Sequence, residues 1–272
     1  MPYPLTAIIS DLHGNRSALE VCLADAAARG VLRYVCLGDV VGYGAEPRAC
    51  LDAVMTRCVA APTEPGPEGE PLLPGLCLKG NHEEALLFTA EDFNPKARAA
   101  IDWTREEIGR DPARADAYWD FLGELDALER DEVAMFAHGS PRDPVREYVV
   151  PRDIKDRRKM DGLFAAMDRD VCFIGHSHVP SVLFADGSYF VPRGEASEHG
   201  PYDLGLDSSR AIVNVGSVGQ PRDQDPRLSY VLFDGSAVTF VRLEYDHQAA
   251  AAAIRQVPDL PDFLADRLAA GR

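Results

Sequence analysis

Residues 172–180, CFIGHSHVP, set two of the chain's seven histidines at the end of an apolar run. A buried strand gains nothing from two imidazoles at its tip, because each polar ring must find a partner or stay in water. His176 and His178 must therefore face something, and four other runs end in a similar way. AIISDLHGN (7–15) ends in Asp11 and His13, and VCLGDVVG (35–42) delivers Asp39. CLKGNHE (77–83) delivers Asn81 and His82, and AMFAHGS (134–140) delivers His138. Most of these groups sit beside a glycine, which lets backbone come close. The histidines left over, His199 and His247, lie in poor surroundings for a site.

The text around these runs predicts an α/β fold. LTAIIS (5–10) reads as a strand and Asn15–Arg29 as a helix; RYVCL (33–37) is the next strand. Pro47–Arg57 reads as the next helix, with proline in its first turn, where a missing N–H costs nothing. A β-α-β-α opening favours a largely parallel sheet with helices packed on it, and such sheets bind ligands at the C-terminal ends of their strands. Residues 95–130 read as helical with a break near 109–112. Strands are expected at 76–79, 132–137, 171–174, 181–185, 188–192, 211–215, 228–233 and 237–243. The Pro/Gly/Glu-rich segment 63–75 reads as a surface insertion, 193–210 as an exposed loop or flap, and 247–272 as an alanine-rich helix and tail. With no repeat and no clean linker, residues 1–272 are expected to form a single domain.

Composition excludes several classes. A net charge of −16 argues against a general nucleic-acid or anionic-membrane surface, both of which want a basic patch. No apolar run approaches the ~20 residues that span a bilayer. The start, MPYPLTAIISD, lacks the basic region of a signal peptide. Six cysteines without a CxxC pair read as reduced thiols packed in a core, which points to the cytoplasm.

Imidazole, carboxylate and amide oxygen without thiolate suit divalent ions such as Mn, Fe, Ni, Co or Zn. Seven candidate ligands (Asp11, His13, Asp39, Asn81, His138, His176 and His178) are too many for one ion and suit two that share a bridge. Asp39, central in the set, is the expected bridge. Taken singly, DLHGN could be a turn after a strand, GNHE a capped turn, and His138 a satisfied buried histidine. In this order, each at a strand end, they read as one site.

The series D-x-H-G-N, G-D-x-V-G, G-N-H-E, H-G and G-H-x-H resembles the calcineurin-like metallophosphoesterases, from Asp11 to about Asp223. HGSPRDPVREYV (138–149) and NVGSVGQPRD (214–223) resemble a bacterial and archaeal subgroup of small phosphodiesterases. The resemblance implies a sandwich of two mainly mixed sheets flanked by helices. It implies that Asp11, His13 and His178 bind one metal and Asn81, His138 and His176 the other, with Asp39 bridging and manganese the expected ion. It implies hydrolysis of small phosphate esters by a hydroxide activated on the two cations, with His82 at the transferring or leaving oxygen. Asn15 is a candidate phosphate contact; Arg142 and Arg222, both in P-R-D, are candidate substrate clamps or loop anchors.

The departures matter too. GNHE resembles the protein serine/threonine phosphatases, but GDVVGYG lacks their arginine after the G-D motif. Phosphodiester or phosphoanhydride substrates are therefore preferred. The alternatives are a dinucleoside-polyphosphate hydrolase, a phosphomonoesterase or protein phosphatase, and a scaffold that has lost catalysis. Oligomeric state is not legible.

Overall fold

The computed structural model describes residues 3–206 and 209–272. Two six-stranded mixed sheets stack face to face. The first runs Leu76–Cys77 (β3), Arg33–Cys36 (β2), Thr6–Ile9 (β1), Leu228–Phe233 (β11), Ala237–Leu243 (β12) and Glu198–Asp203 (β9). Its β1–β3 half is parallel and its β11–β12–β9 half antiparallel. The second runs Leu128–Arg130 (β4), Ala134–Ala137 (β5), Val171–Ile174 (β6), Ala211–Asn214 (β10), Ser181–Phe184 (β7) and Tyr189–Phe190 (β8), with β5, β6 and β10 parallel.

Side-chain alternation divides each strand between two cores, since successive residues point to opposite faces. Ile8, Phe136, Phe173 and Phe233 meet between the sheets. Phe173 packs on Phe233 with ring centroids 4.9 Å apart and on Phe136 at 5.8 Å. Ala7 and Ile9 turn outward into a helix-covered core, as Met135, Ala137, Cys172 and Ile174 do on the second sheet. Strands buried on both faces read as unbroken apolar runs, which is why these were visible in the sequence.

Arg16–Ala28 (α1), Pro47–Arg57 (α2), Pro95–Gly109 (α4), Ala115–Glu124 (α5), His247–Arg255 (α7) and Asp262–Ala270 (α8) contribute to the outer core of the first sheet; Arg157–Ala165 (α6) covers the second. Short α3 (Asn81–Leu87) starts at the GNHE motif. Local chemistry sets the ends: Pro95 opens α4 while Asn94 accepts from Lys96 and Ala97 N–H, and α8 stops at Gly271 in the left-handed region at φ +58°.

Several expectations need correction. The stretch 95–130 breaks after Gly109, as expected, but it ends in strand β4, whose short run LER carries too little apolar pattern to announce itself. The supposed loop 193–210 contains β9, an edge strand paired with β12; its sequence EHGPYD is largely exposed and shows no apolar alternation. Asp207 and Ser208, in the same segment, lie outside the described residues. The C-terminal helix is two helices, parted at VPDLP (257–261). Segment 63–75 joins the fold where β2 and β3 begin, through Leu73 N–H to Leu32 O and Gly75 N–H to Val59 O, at the sheet edge opposite the motifs. All six cysteines are free, and all but Cys77 are buried. Among the described residues no helix is long and apolar enough to cross a membrane.

Candidate metal centre

All five motif-bearing strands end at one place, so the C-terminal edges of both sheets form a single floor. Seven non-glycine residues among those described have left-handed backbone, and five of them are Asp11, His13, Asp39, His176 and His178. Such residues cost roughly 1–3 kcal/mol each and persist only where their surroundings hold them. Here the first two loops are interlocked: Asp11 N–H donates to Gly38 O at 3.0 Å, His13 N–H to Asp39 O at 2.9 Å, and Gly14 N–H to Val40 O at 2.9 Å. The buried Glu83 carboxylate then accepts from Asp39 N–H (2.8 Å), Gly80 N–H (2.9 Å) and Val41 N–H (3.1 Å), pinning the GDVV loop to α3.

Each of the four histidines among the candidate ligands is anchored through one ring nitrogen, which frees the other. His13 Nδ1 meets Val41 O at 3.2 Å, His138 Nδ1 meets Leu37 O at 3.1 Å, and His178 Nδ1 meets Gln220 O at 2.5 Å. His176 is reversed, with Nε2 on Arg146 O at 3.1 Å. If these nitrogens donate to the carbonyls, the others present lone pairs, and the lone pairs converge. His13 Nε2 lies 3.2 Å from His178 Nε2, and His178 Nε2 3.1 Å from Asp11 Oδ1. His138 Nε2 lies 3.1 Å from both His176 Nδ1 and Asn81 Oδ1. Asp39 Oδ2 stands between the groups, 3.7 Å from His13 Nε2 and 3.4 Å from His138 Nε2. Asp11 Oδ1 is buried with no hydrogen-bond donor of good geometry. Acceptors facing acceptors at such distances repel unless positive charge lies among them.

The titration behaviour carries the same sign. Burial opposes ionising Asp11 and Asp39, yet the imidazoles beside them, His178 for the first and His138 for the second, hold both carboxyls well below the usual range. Burial pushes His82 down to about 4 and His176 to about 3, and lowers His13 and His178. His138 goes the other way, up to about 9, because the Asp39 carboxylate overcomes its burial. Burial, followed by repulsion from Asp39, pushes Glu83 up to about 7. Ionised carboxylates and neutral imidazoles are the forms that bind cations, so a cation beside His138 would take the place of its proton. Asp11, His13, Asp39 and His178 could hold one ion, and Asp39, His138 and His176 another.

Compared with known proteins, residues 5–237 match the family model of the calcineurin-like phosphoesterase superfamily domain. The chain belongs to the calcineurin-like phosphoesterase superfamily. It is 31% identical over 278 residues to the uncharacterized protein MJ0912 of Methanocaldococcus jannaschii, covering 98% of each chain. A metallophosphoesterase from Sphaerobacter thermophilus superposes with a TM-score of 0.79 at 35% identity, covering 99% of this chain and all of that one. The hypothetical protein PH1004 of Pyrococcus horikoshii shares the fold at a TM-score of 0.71 and 17% identity, with 98% of each chain covered. Members of this superfamily use divalent metals, and the buried Asp and His groups have the donor chemistry for them.

Within this superfamily site the remaining predicted residues divide. His82 lies at the cluster, Nε2 4.0 Å from Asp39 Oδ2, its ring walled by His13, Tyr43 and Phe93. Arg222 lines a cleft of about 190 Å³ over the centre together with Asp39, His82, Tyr148 and His178. Its guanidinium is held by Gln220 Oε1, while the neighbouring Asp223 pairs with Arg242 instead. Arg142, expected as a substrate clamp or loop anchor, has its fork on Glu147, with Nε at 2.9 Å, and packs against Gly162 of α6. This ion pair ties its loop to Glu147. Asn15 is likewise committed at both ends, Oδ1 capping α1 through Ala18 N–H and Nδ2 donating to Gly219 O at 2.8 Å. The sequence reading missed Tyr148, whose ring stacks on His176 at 3.8 Å and parts this cleft from one of about 240 Å³ lined by Phe93 and Arg146. Tyr148 lies inside the quoted stretch 138–149, but nothing local distinguishes it from a surface tyrosine.

Proposed function

We propose that the protein is a phosphoesterase with a two-metal centre that hydrolyses phosphodiester or phosphoanhydride bonds of small substrates. The observation that carries the proposal is the convergence of acceptor atoms in two groups that share Asp39. Asp11, His13 and His178 would hold one ion and Asn81, His138 and His176 the other, with Mn²⁺ the first choice. When bound, such a pair lowers the pKa of water and neutralises phosphoryl oxygens in an in-line displacement. The chain's own residues supply the rest. The carbonyls of Leu37, Val41, Arg146 and Gln220 fix the rings. Tyr148 and Phe93 wall the cleft, and Arg222 offers a fork to a phosphoryl oxygen. His82, outside the donor set, would hold or pass a proton through Nε2 at the transferring oxygen.

The arginine missing from GDVVGYG favours these substrates over phosphoproteins. We further read residues 1–272 as one domain acting in the reducing cytoplasm, which the free thiols support. The test is to strip the protein with chelator, restore Mn²⁺, and compare bis-p-nitrophenyl phosphate with p-nitrophenyl phosphate, using His178→Ala as control. Metal-dependent diester cleavage lost in the variant is expected. Faster monoester cleavage would move the substrate class, and turnover indifferent to chelation would overturn the metal centre.

A further inference from the structure

The chemistry at the centre leaves one neighbouring cavity unused, the cleft of about 240 Å³ on the other side of Tyr148. It shares Asn81, Phe93, Tyr148 and His176 with the cleft over the centre, so the two meet at two candidate ligands of the same ion. A molecule held at the centre by its phosphoryl oxygens would have this outer cleft within reach of whatever the phosphorus carries.

The walls limit what fits. The Tyr148 ring lies on His176 at 3.8 Å and is still 50% exposed, and Phe93 supplies a second ring. Ala85 and Ala90, both buried, contribute only methyl groups, which keeps the space open. The wall is also held in place. Arg98 Nε donates to Ala90 O at 3.2 Å and its Nη2 to Glu91 O at 2.7 Å, while Phe93 N–H donates to Ala90 O at 3.0 Å. At about 240 Å³ the cleft is smaller than the ~300 Å³ at which sites for drug-sized ligands begin, so it has room for a single ring system. Two aromatic side chains and a methyl-lined wall favour a planar one.

Charge narrows the choice further. Over the centre stands Arg222, suited to a phosphoryl oxygen. In the outer cleft, among the described residues, Arg146 is the one lysine or arginine on the wall, and two acids take it. Its Nε lies 2.7 Å from Glu84 Oε2 and its Nη1 3.5 Å from Asp92 Oδ2, and both acids line the cleft themselves. Two carboxylates against one guanidinium oppose a second phosphate or a carboxylate there and leave a neutral group unopposed.

We infer that the outer cleft receives one ester arm of the substrate, and that this arm carries a neutral planar ring, an aryl group or a nucleobase. The inference rests on the phosphoesterase reading above and names its substrate class as phosphate esters with an aromatic arm. Tyr148 and Phe93 are then specificity-determining residues, and stacking on them is worth about one power of ten in affinity.

The test is calorimetric titration of the metal-loaded protein, dialysed free of excess ion, with methylphosphonate and benzylphosphonate, whose shared head group resists hydrolysis. A ring gains affinity on many apolar surfaces, so the readout is the change on mutation. Ala90→Leu fills the outer cleft from a position that does not line the cleft over the centre. It should weaken benzylphosphonate binding about tenfold more than methylphosphonate binding. Tyr148→Leu keeps an apolar cover on His176 but removes the stacking face, and should act in the same direction; it carries the comparison alone if Ala90→Leu does not fold. Equal losses for both ligands, or none, would overturn the assignment. A carboxybenzylphosphonate should bind the unaltered protein roughly two- to fivefold more weakly than benzylphosphonate, and tighter binding would overturn the neutral arm. An adenine-bearing alkylphosphonate separates the two sources of the ring: a selective loss in Ala90→Leu supports a nucleobase, and a loss confined to benzylphosphonate supports an aryl arm. Turnover of bis-p-nitrophenyl phosphate on the same samples separates the two claims. Ring selectivity without metal-dependent turnover sinks the enzymatic reading and keeps the ring site, whereas turnover without selectivity does the reverse.

Discussion

Gly42 sits in the GDVVG motif, and replacing it with alanine places a methyl group on His82. A Cβ there would stand 2.1 Å from His82 Nδ1 and 3.0 Å from Cε1, at a φ of +86°. Gly187 provides the control, with a φ of +91° and nothing within 4 Å of its added Cβ. Both substitutions carry the penalty of a left-handed L-residue, roughly 1–2 kcal/mol. Only Gly42→Ala adds overpacking, worth about 1–3 kcal/mol. The His82 ring cannot swing clear at no cost, because Tyr43, Phe93 and His13 stand with centroids 4.5, 5.0 and 4.6 Å away. The methyl group must therefore displace the ring relative to Asp39. Urea unfolding should show Gly42→Ala losing about 1–3 kcal/mol more than Gly187→Ala. Mn²⁺-dependent kcat should fall by a factor of about 10² or more, the scale of a lost acid–base contact, while bound metal stays constant. Equal stability in the two variants with full activity in Gly42→Ala would refute both the tight packing of His82 and its part in turnover.

Asn15→Ala removes a helix cap and the strap to Gly219, so urea unfolding should show a loss of about 1–2 kcal/mol. A rise in KM at unchanged stability would instead return Asn15 to the substrate. Adding Mn²⁺ to chelated protein should raise Tm, because binding to the folded state alone contributes about 2.7 kcal/mol at a free concentration 100 times Kd. His178→Ala should remove most of that shift, and a Tm indifferent to Mn²⁺ would contradict the centre.

What the sequence disclosed follows from how locally each feature is encoded. The parallel strands were legible because both faces of β1, β2, β5 and β6 are buried and leave unbroken apolar runs. The ligand-type residues were legible because every such strand ends in one, so topology does the gathering. Edge strands β4 and β9 were not, being short or exposed on sequences without alternation. Glu83 stood in a quoted motif, but its grip on two backbone N–H groups of another loop, Asp39 and Val41, beside that of its own Gly80, appears only when the loops meet. Arg142 and Arg222 share the local text P-R-D, and their different surroundings come from Glu147 and Gln220.

The left-handed strand ends and the unmatched acceptors belong to one energetic problem. Held by crossed loops, Asp11, His13, Asp39, His176 and His178 keep a backbone shape that costs energy, and they aim lone pairs at one another. Neither cost is recovered within the protein. The Asp11 carboxylate is still short of a donor, and His138 rises to about 9 as it borrows a proton for Asp39. A rigid cluster of carboxylate and imidazole acceptors this close together suits a divalent cation, provided the frame does not relax first. The glycines argue that it does not. A Cβ at Gly80 would fall 2.1 Å from Asp39 Oδ1, and one at Gly175 would fall 2.6 Å from Asp11 Oδ2. Backbone lies directly against both carboxylates, so the acceptors stay where the fold has put them, and cation binding is the relief left to them.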